Sequence, residues 1–254
     1  MSYKGVSELY DRYPGEDIYV IGSGSSLRVF PTDFLQNKIT IGCNMAWKSA
    51  PMKYGITIHP DLNIPEFMDG EAPREDITWI TKHGKSKLLL SEAQMKYAEE
   101  EFYFFEAKGK KNTALPYEPS DSGRFPEWVS APRGDFLYQW SSISQTAVNL
   151  AANMGAKNII LIGCDNGSLL DNHHAHAQHT RWKGVDPNHR YQQYYDGLAE
   201  VRRALRSRGV ELFSMNPFVS LLQPEMDFRA LCHELDRPEL LSGSDVPVPE
   251  AKKV

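Results

Sequence analysis

Asp17-Ile-Tyr-Val-Ile-Gly-Ser-Gly-Ser-Ser26 is the stretch that sets the fold, because an unbroken apolar run there passes straight into a glycine-rich turn. A strand with one wet face alternates apolar and polar residues. A strand buried on both faces of a mostly parallel sheet does not. Asn158-Ile-Ile-Leu-Ile-Gly-Cys-Asp165 has the same continuous character and is the strongest run in the chain. Weaker strand signals lie at 38–44, 54–61, 77–81, 87–90 and 210–215, each bounded by turn residues.

Helical patterns fall between these runs. Ser142 to Met154 carries three alanines and stops at Gly155, a residue suited to a left-handed C-cap. Tyr191 to Arg208 spaces Tyr194, Leu198, Val201 and Leu205 along one face, and Gly209 closes it. Ser91 with Gln94 reads as a capping box opening a helix to about Phe102. The alternation from 142 to 215 builds a doubly wound sheet. The fold class expected is therefore α/β, Rossmann-like, with a mostly parallel sheet, helices on both faces and long lid loops. One nucleotide-binding domain over 1–240 is expected, with a flexible tail at 241–254.

Two stretches break the pattern. Residues 106–140 hold four prolines and three glycines with little periodicity, and 166–190 are polar and rich in histidine. Segments this long without regular structure are usually lids or binding loops, and oligomer contacts are the competing use.

The chain has 254 residues, 41% hydrophobic and 24% charged, so a buried core is expected. A net charge of −5 argues against a dominant basic surface for nucleic acid, and no nucleic-acid partner is expected. Cys43, Cys164 and Cys232 are far apart, odd in number and without a CxxC pair, which fits a reducing compartment. No signal peptide or transmembrane run is seen, so a cytoplasmic location is expected, with peripheral membrane contact left open. A homo-oligomer is also left open.

The glycine turn Gly22-Ser23-Gly24-Ser25-Ser26 suits a phosphate, since glycine admits close backbone approach and positive φ, and the serines can donate. The dinucleotide fingerprint is incomplete. Leu27 stands where its third glycine belongs, and Asn44 stands where an acidic ribose ligand is expected about 20 residues on. A mononucleotide fits better than NAD or FAD; a tight turn with no ligand is the alternative. Ligands of open α/β sheets bind outside the carboxyl ends of the strands. Those ends carry Gly22–Ser26, Asn44, His59–Asp61, Asp165–Asn166 and Asn216.

Ile-Gly-Ser-Gly-Ser-Ser-Leu at 21–27, Gly-Cys-Asn at 42–44, Ser-x-Ser opening 142–155, the 157–165 run and the closing strand with Asn216–Pro217 together resemble the bacterial sialyltransferases of glycosyltransferase family 42. They also resemble the related domain-of-unknown-function 115 proteins, among them motility accessory factors and an archaeal pterin pyrophosphokinase. The resemblance spans about 17–225. It implies a Rossmann-like domain with a lid, a CMP-sugar donor, and inverting, metal-independent sialyl transfer to a hydroxyl of a small-molecule or glycan acceptor. It places nucleotide contacts on Gly22, Gly24, Ser25 and Asn44, and a helix-opening element on Ser142, Ile143 and Ser144. Ile143 departs from the family's serine, and the tyrosine pair that holds the donor phosphate has no clear counterpart after Asp165. The family's lid histidine maps by distance onto His189, then His179.

His173, His174, His176, His179 and His189 lie within seventeen residues. Three readings stay open: a general base, a metal site using His-x-His with Asp171, and a solvated polar loop. Arg181 and Lys183 follow directly and can neutralise a donor phosphate or an acidic acceptor, or serve as ordinary surface charge. The function expected is a transferase using a nucleotide-activated donor, with His189 or His179 as base. Its nucleotide site comprises Gly22, Ser23, Gly24, Ser25, Ser26, Asn44, Asp61, Ser142, Ser144, Asp165 and Asn166. No resident metal or cofactor is expected under that reading. The rival enzyme reading is Mg-dependent pyrophosphoryl transfer from ATP to a pterin-like alcohol, for which Asp61, Asp165 and Asp171 are available. A third is a nucleotide-binding module without chemistry.

Overall fold

The computed structural model describes residues 3–28, 30–108, 134–139, 142–165, 175, 198 and 201–215. Among these residues nine strands form a parallel sheet: β1 (Lys4–Gly5), β2 (Asp17–Ile21), β3 (Ile39–Cys43), β4 (Tyr54–Thr57), β5 (Thr78–Lys82), β6 (Tyr103–Lys108), β7 (Phe136–Tyr138), β8 (Asn158–Ile162) and β9 (Glu211–Ser214). Their order is β1-β6-β5-β4-β3-β2-β8-β9, with β7 paired to β6, and every pairing is parallel. From β2 the chain adds β3, β4, β5 and β6 on one side. It then returns to add β8 and β9 on the other, so β2 and β8 flank the topological switch point.

Both faces of the sheet are buried, as the continuous apolar runs require. Ile18 and Val20 of β2 join Ile41, Ile56, Ile159 and Leu161 on one face, and Tyr19 and Ile21 join Trp79, Ile160, Ile162 and Phe213 on the other. Each such side chain contributes about 1.5–3 kcal/mol by leaving water. The first face is covered by α4 (Ile143–Asn153) and by the helical stretch 201–206. Leu198, Val201 and Leu205 are buried there, as their spacing predicts. Ser142 caps α4 through a Ser-x-x-Gln box, and Gly155 follows it at φ +98°.

The second face carries a helix, as expected, together with shorter elements. Beneath β2, β3 and β4 the connections are short 3-10 turns at Ser25–Arg28, Thr32–Leu35 and Asn44–Lys48, which place Leu27, Phe30, Leu35 and Ala46 in the core. Among the described residues the longest helix on this face is α3 (Glu92–Glu101), opened by the Ser91/Gln94 capping box foreseen from the sequence.

The strand expected at 87–90 is instead the end of α2 (His83–Leu89) and its cap. Leu88 is 78% exposed, so it does not fill a sheet position, and leucine and lysine, neither of them branched at Cβ, suit a helix. The sheet position beside β5 belongs to β6, which the sequence hides between a helix and an irregular stretch. Phe104 and Phe105 of β6 pack one on each face. β7 falls inside the stretch read as irregular. It is fixed by Asn149 of α4, whose Oδ1 accepts from Tyr138 N–H at 3.1 Å. No helix among the described residues is long and apolar enough to cross a membrane.

Candidate functional site

The switch point is closed by interlocking backbones. The N–H of Gly22 donates to the Ile162 carbonyl at 2.7 Å, and that of Gly24 donates to the Gly163 carbonyl at 2.8 Å. A Cβ at position 22 would lie 2.3 Å from the Gly163 oxygen, and one at position 24 would lie 2.5 Å from it. Glycine is required at both places by this close approach. The left-handed backbone expected in the turn occurs across from it, at Gly163 (φ +62°), whose missing Cβ leaves room for Leu27.

Asp165, at the end of the neighbouring strand, completes the closure. Its Oδ2 accepts from Ser26 N–H at 2.7 Å, and its Oδ1 accepts from the Ser26 hydroxyl. Asp165 is 9% exposed and Ser26 only 2%, so the charge-assisted bonds are shielded. A carboxylate thus sits at the head of the Ser25–Arg28 turn, and the N–H groups of Gly22, Gly24 and Ser26 all point at protein acceptors. Between the two glycines, the Ser23 carbonyl accepts from Ala175 N–H at 3.0 Å, and Arg28 Nε donates to the Ala175 carbonyl at 3.2 Å. Residue 175 therefore lies against the turn, with an exposed guanidinium beside it.

The other side of β2 is more open. Asn44 follows β3 with φ +52°, a conformation asparagine tolerates better than most residues, and it is partly exposed. Its Oδ1 lies 3.0 Å from the Thr57 hydroxyl. Thr57, fully buried, also meets His59 N–H at 3.0 Å and Asn63 Nδ2 at 3.1 Å. Asp61 follows Pro60 in the single turn α1 (Pro60–Asn63), and its Oδ1 is buried with no hydrogen-bond partner among the described residues.

Ser142 and Ser144 stand at the head of α4, with their hydroxyl oxygens 2.6 Å apart, and α4 packs across β2, β3 and β4. Below the carboxyl edge sit the thiols of Cys43 and Cys164. Burial pushes Cys164 up to about 12, with the Asp165 charge adding to it; burial also holds Cys43 well above its ordinary value. Both shifts disfavour the thiolate near neutral pH.

Of the residues singled out from sequence, Gly22, Gly24, Ser26 and Asp165 form one contact group. Asn44 belongs to a second, and Asp61 shares the strand end that supplies it. Ser25 begins the 3-10 turn. Asn166, His179, Arg181, Lys183 and His189 lie outside the described residues, as do His173, His174, His176, Asp171 and Asn216. Sequence reading missed Gly163, Thr57, Asn63 and Arg28. The Ile-Gly-Cys-Asx ending shared by 41–44 and 162–165 is a signal for the first; nothing local marks the other three.

No family model matches the chain, and none of the curated proteins matches it in sequence. Among solved structures the chain is similar to the sialyltransferase CstII from Campylobacter jejuni in complex with a substrate analogue, cytidine-5′-monophosphate. The identity is 10% and the TM-score 0.44, over 81% of this chain and 82% of that one.

Proposed function

We propose that the carboxyl edge of the sheet binds a nucleotide-activated donor and that the protein is a transferase, with a CMP-sugar as donor and a hydroxyl group as acceptor. The observation that carries this reading is the rigid glycine turn at the switch point, with Asn44, partly exposed, at the strand end on the other side of β2. Open α/β sheets take their ligands at this place. The Ile162, Gly163 and Asp165 contacts hold the turn in one shape before any ligand arrives, which lowers the cost of ordering it on binding.

In this reading the base and ribose lie toward Asn44 and Asp61. The donor phosphate lies against Ser23–Ser25 with Arg28 nearby, Ser142 and Ser144 border the crevice, and Asn166 is proposed as a further nucleotide contact. Asp165 acts by fixing Ser26. The acceptor oxygen attacks the anomeric carbon, the bond from that carbon to the phosphate oxygen breaks, and CMP leaves with the electron pair. His189 or His179 takes the acceptor proton, and Arg181 and Lys183 offset charge on the leaving phosphate.

CMP release from CMP-sialic acid by the purified protein tests this directly. Release in EDTA, abolished by His189→Ala or His179→Ala with CMP binding retained, is the expected result. Inertness toward the CMP-sugar combined with Mg-dependent pyrophosphoryl transfer from ATP would overturn it in favour of kinase chemistry.

A further inference from the structure

We infer that Thr57 is a positioning residue that turns the Asn44 amide so that it offers only hydrogen-bond donors, and hence that the nucleotide atom taken at Asn44 is an acceptor. The inference rests on the function proposed above. It follows from a chain of hydrogen bonds in which each direction is forced.

The chain starts at two groups whose roles cannot be exchanged. The His59 carbonyl only accepts, and it lies 2.9 Å from the Asn63 side-chain amide, so the Asn63 atom facing it is Nδ2. The same Nδ2 lies 3.1 Å from Thr57 Oγ1 and must donate to it. The His59 N–H only donates, and it too points at Thr57 Oγ1, at 3.0 Å. The Asn63 backbone is held in turn by Trp47 Nε1–H, which donates to its carbonyl at 2.9 Å.

A hydroxyl has two acceptor sites and one hydrogen. Both acceptor sites of Thr57 are taken, so its hydrogen goes to the remaining neighbour, Asn44, 3.0 Å away. That neighbour must be an oxygen. The amide orientation of Asn44, which heavy-atom positions alone do not reveal, is thereby fixed by its network. Oδ1 faces Thr57, and Nδ2, with two N–H groups, faces away. Among the described residues nothing accepts from Nδ2, and Asn44 is partly exposed on the sheet's carboxyl edge. A base carbonyl, a ring nitrogen or a phosphate oxygen satisfies these donors. An exocyclic amino group or another donor meets them head-on.

The test is CMP and cytidine titration of the full chain, by calorimetry and by the Asn44 side-chain amide resonances in nitrogen-15 spectra. Those resonances are assigned by their loss in Asn44→Ala. CMP is expected to move the Asn44 Nδ2 protons in the wild type. Asn44→Ala is expected to weaken CMP about tenfold, the scale of one well-placed hydrogen bond. Asn44→Asp, the same shape with no donor, should weaken it at least as much. Thr57→Ser keeps the hydroxyl and should keep both the affinity and the resonance shift. Thr57→Val removes the hydroxyl and should lose both. Should Thr57→Val not fold, the Thr57→Ser and Asn44→Asp arms still decide.

A parallel loss of cytidine affinity in Asn44→Ala assigns the acceptor to the nucleoside, and a loss confined to CMP assigns it to the phosphate; both support the inference. CMP binding that is unchanged in Asn44→Asp, or that leaves the Asn44 amide protons unmoved, overturns it while the proposed function stands. Failure of the wild type to bind CMP at all overturns the proposed function and this inference with it.

Discussion

The two strands that flank β2 end in nearly the same sequence, Ile41-Gly42-Cys43-Asn44 on one side and Ile162-Gly163-Cys164-Asp165 on the other, yet the two ends do different work. Asp165 turns both carboxylate oxygens inward onto Ser26 and locks the glycine turn. Asn44 turns only its oxygen inward, onto Thr57. A carboxylate has two acceptors and suits a site that needs two donors satisfied; an amide has one acceptor and leaves donors over. One atom's difference therefore separates a structural clamp from a residue able to meet a ligand. The amides of Gly22, Gly24 and Ser26 donate within the fold, so in the proposed reading the phosphate lies toward Ser23, Ser25 and Arg28.

The largest effect expected from breaking this contrast comes from the interlock itself. Gly22→Ala or Gly24→Ala drives a Cβ into the Gly163 carbonyl, a backbone atom that cannot swing aside. Destabilisation of about 3 kcal/mol, or failure to fold, is expected in urea denaturation. Asp165→Ala comes next. It strips the Ser26 N–H and hydroxyl of their acceptor in a buried place, at a cost of about 2–3 kcal/mol by the same measurement. Asn44→Ala should cost less, about 1–2 kcal/mol, since it takes one acceptor from the buried Thr57 hydroxyl and puts alanine at φ +52°. Equal losses at 44 and 165 would show that the two ends are not divided as argued.

The smallest effect concerns the thiols on the strand ends. Both have folded-state values raised above the ordinary 9.0, Cys164 to about 12. A thiol that ionises more easily in the unfolded chain favours unfolding once the pH passes that ordinary value. The stability it lends is present in full below about pH 9 and is lost as pH rises toward 12. Iodoacetamide at pH 8 should accordingly leave Cys43 and Cys164 unmodified in the native protein and label them in denaturant. Rapid native labelling of Cys43 would contradict its burial, and rapid labelling of the partly exposed Cys164 would contradict its raised value.

Much of the fold could be read from sequence because its central strands are buried on both faces. Continuous runs such as Val20–Ile21 and Ile159–Ile162 admit few other readings. Helix ends marked by Ser91, Ser142, Gly155 and Gly209 were equally legible, since their signals are local. β1, β6 and β7 were not, because a two-residue edge strand, an aromatic pair after a helix and a proline-flanked stretch carry no period of their own. Leu88 misled for the converse reason: Leu88–Leu90 read as a strand by hydrophobicity, whereas leucine favours a helix by propensity. The site was legible as residue types at strand ends. The division of labour between Asp165 and Asn44 was not, because it depends on Ser26 and Thr57, partners that only the three-dimensional arrangement brings within hydrogen-bond reach.

Whether the carboxyl edge of the sheet binds a nucleotide is decided by thermal unfolding of the protein with CMP, CDP, UMP, UDP, GDP and ATP, each in Mg²⁺ and in EDTA. A ligand at about 100 times its dissociation constant adds about 2.7 kcal/mol to the folded state, enough to raise the midpoint by several degrees. Stabilisation by CMP over the other nucleotides, equal in EDTA and in Mg²⁺, is the predicted result. No shift with any of the six would contradict the account.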